Sequence, residues 1–66
     1  MDEETLNLSI RKFLKMVGVN SQREIEHAVA KALAAGGAPD AFPATMTLAI
    51  PALGLTVDFD GTIALR

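Results

Sequence analysis

Residues 6–33 read LNLSIRKFLKMVGVNSQREIEHAVAKAL, and their spacing predicts two amphipathic helices joined by a tight turn at Gly18-Val19-Asn20. The first is expected over residues 3–17, where Leu6, Ile10, Phe13, Leu14 and Val17 recur at helical intervals and fall on one face. Asp2, Glu3 and Glu4 sit at its start, against the positive end of the helix dipole. Gly18 stands where a helix-ending residue of left-handed conformation is wanted, and Val19 can fold back on Phe13 or Leu14. The second helix is expected over residues 21–35. Ser21 and Glu24 have the spacing of a capping box, Ile25, Ala28, Val29, Ala32 and Leu33 form the apolar face, and Gly36-Gly37 ends it.

Downstream the period changes. Residues 38–43 hold two prolines and an aspartate and read as a crossing loop, after which apolar and polar residues alternate. The alternation predicts three strands over residues 45–50, 55–59 and 62–65. A slip of one residue would move a whole apolar set to the other face, so parity sets the register. A loop of Pro51-Ala52-Leu53-Gly54 pairs Ile50 with Leu55, Leu48 with Val57 and Met46 with Phe59. A loop of Phe59-Asp60-Gly61 with a left-handed Gly61 would then pair Val57 with Ile63 and Leu55 with Leu65. The expected fold is α+β, of order ααβββ, with two N-terminal helices on a three-stranded antiparallel meander.

The chain has 66 residues, a single domain near the lower limit for a self-sufficient core. Half of the residues are apolar, many of them alanine, so the core should be thin. With no cysteine and one histidine, no disulfide framework or His/Cys zinc site can be built. A net charge of −2 with interspersed signs argues against a chain made mainly to grip polyphosphate. The acidic start lacks the positive charge of a signal peptide, and no apolar run approaches a membrane span of about 20 residues. A soluble, cytoplasmic protein is expected.

Ser9-Ile10-Arg11-Lys12-Phe13-Leu14-Lys15, then Val17-Gly18-Val19 and Ser21 through Glu26, followed by the closing DGTIAL, carry a resemblance. The run resembles a family of small bacterial proteins classed as a domain of unknown function. The resemblance spans nearly the whole chain and implies no activity, ligand or catalytic residue.

Two motifs bear on chemistry or nucleic-acid binding. Asp58-Phe59-Asp60-Gly61-Thr62 looks like the first signature of haloacid dehalogenase-type phosphatases, in which the position of Asp58 is the nucleophile and that of Asp60 the acid/base. The remaining Ser/Thr, Lys and acidic metal pair of such a site are missing, and the string is explained by a hairpin. Leu14, Gly18 and Val19 approximate a helix-turn-helix, which would present Gln22, Arg23, Glu26, His27 and Lys31 to a nucleic-acid groove. Glu24 and Glu26 oppose that use, and His27 has no partner that would make it a catalytic base.

The stronger expectation is a binding surface without catalysis or cofactor. Leu8 stands among Arg11, Lys12 and Lys15 on the outer face of the first helix. Thr45 and Thr47 lie on the open face of the sheet, whose edge strands, the first and the third, lack lysine, with Pro43 and Pro51 bracketing the first. These residues are the candidate contacts with a protein partner, including a second copy of the chain. Phe13→Ala is expected to cost roughly 3–5 kcal/mol if Phe13 is a core residue.

Overall fold

The computed structural model describes residues 1–66. It holds one helix and one hairpin, where the spacing predicts two helices and three strands. Helix α1 runs unbroken over Glu3–Ala34, and its 32 residues at 1.5 Å each make a rod of roughly 48 Å. That rod sets the long dimension of a molecule measuring 52 × 20 × 19 Å. Asp2 caps its start, accepting from the backbone N–H of Glu4 at 3.0 Å and of Thr5 at 3.3 Å. The Thr5 hydroxyl donates to the same carboxylate at 2.7 Å.

The expected break at Gly18-Val19-Asn20 is not there. Asn20 stays in the helix and its side-chain amide donates to the Met16 carbonyl at 2.9 Å. Ser21 lies inside the helix, half-buried, and its capping box with Glu24 is not used. A mid-helix glycine costs only about 1 kcal/mol relative to alanine. Two new helix ends would instead leave a full set of backbone donors and acceptors to satisfy. The face also stays in phase across the glycine, since Val17, Ser21, Ile25, Ala28 and Ala32 follow at three- and four-residue steps. Without the turn, the helix-turn-helix geometry is gone.

Strands β1 (Ala41–Ile50) and β2 (Leu55–Ala64) form an antiparallel pair joined by a short 3-10 turn at Pro51–Leu53. The first turn matches the parity argument: Ile50 pairs with Leu55, Leu48 with Val57 and Met46 with Phe59. Gly54 supplies the left-handed corner, at φ 63°. The second expected turn does not form, because β2 continues through Asp60-Gly61 while β1 begins earlier, at Ala41. Gly61 faces Ala44 and Ile63 faces Phe42, in place of the predicted pairing with Val57. The apolar parity of Leu55, Val57 and Phe59 therefore runs on to Ile63, on one long strand.

The helix lies along the apolar face of this hairpin, as the clefts lined jointly by both elements demonstrate. Two strands are too narrow to enclose a helix, and none of the 66 residues is buried. Val17, Val29, Phe42, Leu48, Val57 and Ile63 reach only the half-buried class. Leu6, Ile10, Phe13 and Leu14, expected in the core, are exposed. The accessible surface is 5741 Å², whereas a compact 7.0 kDa monomer exposes about 4,000 Å². About 1,700 Å² that a chain of this size ordinarily hides is left in contact with solvent.

Candidate interaction surface

A cleft of about 580 Å³ opens between the N-terminal half of α1 and the hairpin. Ile10, Phe13, Leu14 and Val17 form its helical wall. Its sheet wall is mostly β1, from Met46, Leu48 and Ile50, with Phe59 alone from β2. The cleft therefore lies along β1. Several of its walls are poorly covered: Phe13 is 47% exposed, Leu14 56%, Met46 44% and Phe59 57%. A second apolar cleft follows toward the helix C-terminus, between Ala28, Val29 and Ala32 and the facing Phe42 and Ile63. A stretch with a more polar helical wall separates them, where Asn20, Ser21 and Glu24 face Ala44 and Gly61.

The opposite face of the hairpin carries a polar ladder. The Thr45 hydroxyl donates to Asp60 Oδ1 and the Thr47 hydroxyl to Asp58 Oδ1, both at 2.8 Å. These bonds give the phosphatase-like aspartates a cross-strand structural role on an exposed antiparallel pair. Such a pair offers no carboxyl end of a parallel strand at which that family's site is built. No three His, Cys, Asp or Glu side chains converge to hold a metal ion. The Asp2 carboxyl is held below the usual aspartate value by the Thr5 hydroxyl and by the backbone N–H groups of Thr5 and Glu4 that it accepts.

The candidate contact residues fall into two separate sets. Leu8, Arg11, Lys12 and Lys15 are exposed on α1 and line none of the clefts. Thr45 and Thr47 are brought together with Asp60 and Asp58 on the far side of the hairpin. The apolar clefts between those sets were not anticipated as a surface, because sequence periodicity marks which residues face inward but not whether anything covers them. No helix is long and apolar enough to cross a membrane.

The edges of the hairpin differ. Leu65 N–H donates to the Asp40 carbonyl at 2.7 Å, which sets that position as a hydrogen-bonded one, and every second pair along the register is of the same kind. Phe42, Ala44, Met46, Leu48 and Ile50 thus turn their backbone groups toward β2, while Pro43, Thr45, Thr47 and Ala49 turn theirs outward. Pro43 is inside the strand, in place of the expected crossing loop, and its missing N–H falls on the outer edge. On β2 the outward positions include Asp58 and Asp60.

The model of a family of unknown function, DUF6494, matches residues 1–66. The chain belongs to the DUF6494 family. This agrees with the resemblance carried by the helical run and the closing DGTIAL. No curated protein and no solved structure matches this DUF6494 chain.

Proposed function

We propose that the chain is a small non-catalytic protein-interaction module that works as a homodimer. The observation that carries this reading is the absence of any buried side chain in a helix-plus-hairpin whose facing surfaces are both apolar. A two-stranded hairpin is marginal by itself, and a chain of this length needs a staple or a partner. The chain has no cysteine to supply the first. If each copy hid its surplus of about 1,700 Å², the pair would bury up to about 3,400 Å², within the range of obligate homodimers.

Light scattering across a wide concentration range tests the reading. The expected mass is twice the 7.0 kDa of the chain, with a melting temperature that rises with concentration. A mass of one chain throughout, with a melt independent of concentration, would overturn it. A dimer would leave Leu8, Arg11, Lys12 and Lys15 free on the outer side of α1 for a further protein contact.

A further inference from the structure

We infer that the two copies join through the outer edge of β1, antiparallel about a two-fold axis at Thr47, to make one four-stranded sheet of order β2-β1-β1-β2 under two adjacent helices. This rests on the dimer reading above and specifies its interface.

The outward-facing N–H groups of β1 between Pro43 and Pro51, the first residue of the turn that follows, belong to Thr45, Thr47 and Ala49. Centring the pairing on Thr47 sets Thr47 against its twin and Thr45 against Ala49 of the other copy, so all of these groups find partners. Pro43 then lies opposite Pro51 of the other copy, just outside the ladder at both ends. Moving the centre by one residue either way brings a proline into the ladder. Parity is preserved, because Met46 meets Leu48 of the other copy on the apolar face. The segment ATMTLAI, residues 44–50, carries no charge, so no like charges oppose across the axis. An equivalent pairing through β2 would crowd Asp58 and Asp60 together, and charged edge strands resist such pairing.

The helical layer fits the same arrangement. Neighbouring strands are about 4.8 Å apart, so the centres of two adjoining hairpins are about 10 Å apart, which is the spacing of packed helices. The apolar cleft along β1 lies on the joining side, so Phe13 and Leu14 of each copy would be covered by the other.

The test uses matched variants. Thr47 and Asp58 face each other across the hairpin, each with its N–H turned outward, so a proline at either one perturbs the hairpin alike but blocks a different edge. Thr47→Pro should lose the dimer mass while Asp58→Pro keeps it. Because the chain has no cysteine, Thr47→Cys and Thr62→Cys can each be oxidised without background. Thr47→Cys should form a covalent dimer, since twin residues of a bonded antiparallel pair lie about 5.5 Å apart, within disulfide reach. Thr62→Cys, on the outer strand, should not.

A dimeric wild type in which only Thr62→Cys cross-links, or in which Thr47→Pro stays dimeric, would overturn this interface and leave the dimer reading standing. A wild type that is monomeric, with Thr47→Cys uncoupled, would overturn both. If the proline variants do not fold, the cysteine pair decides the matter.

Discussion

Truncating Phe13 separates what the chain owes to its own packing from what it owes to a partner. Phe13 is 47% exposed, so about half of the roughly 200 Å² that a phenylalanine can bury is already covered within the chain, by its helix neighbours and the facing hairpin together. At about 25 cal/mol per Å², the covered half stabilises a single chain by about 2.5 kcal/mol, below the range expected for a core phenylalanine. The uncovered half is worth a similar amount once per copy in a dimer. Phe13→Ala should therefore weaken dimerisation by about 5 kcal/mol, or three to four powers of ten in the dissociation constant. Sedimentation equilibrium over a dilution series reads the constant, and circular dichroism verifies that α1 survives. Lys15→Ala, on the same helix but outside the clefts, should leave the constant unchanged. If Phe13→Ala keeps its helix and dimerises as the wild type does, Phe13 stays exposed in the assembly and the surplus-area argument is wrong. Should Phe13→Ala fail to fold, Phe13→Leu offers the same comparison at smaller amplitude.

Gly54→Ala should lose about 1–2 kcal/mol by chemical denaturation, because φ of 63° is a conformation that a side chain strains; equal stability would mean the loop is not built as described. Gly18→Ala should gain about 0.5–1 kcal/mol in the helix, since a Cβ there meets nothing within 4 Å; a loss would place another chain's backbone against it. Asp2→Ala should lower helical content at neutral pH. In the wild type the depressed Asp2 value means that its stabilisation is present above the usual aspartate range and disappears as pH falls through the lower folded value, so the variant's acid titration of helicity should lack that step.

The parts of the fold legible in the sequence were those where pattern and turn chemistry agreed. Pro51 and Gly54 suit their loop, and the alternation on either side leaves one sensible register, which the hairpin adopts. The errors came from local signals that longer-range order overrides. Gly18 and the Ser21-Glu24 box are competent to end one helix and start another, yet the apolar face runs in phase through both. Asp60-Gly61 is a competent turn, yet Phe42 and Ala44 extend the facing strand and hold β2 straight. The signal that separates these cases is phase: a true break resets the period, and neither of these does. For the interaction surface, sequence could name Thr45 and Thr47 as residues of an open sheet. It could not place Pro43 inside a strand, nor distinguish a blocked position from the free ones beside it.

The rod-like shape also bears on hydrodynamics. A radius of gyration of 15.8 Å belongs to a compact globule of about 180 residues, not to one of 66. A sizing column calibrated with spherical standards would report one such chain as heavier than its true mass. Joining two copies side by side would double the mass while adding little to the length, so the elution volume would shift less than the mass. Scattering intensity at zero angle, which counts mass regardless of shape, distinguishes one rod from two.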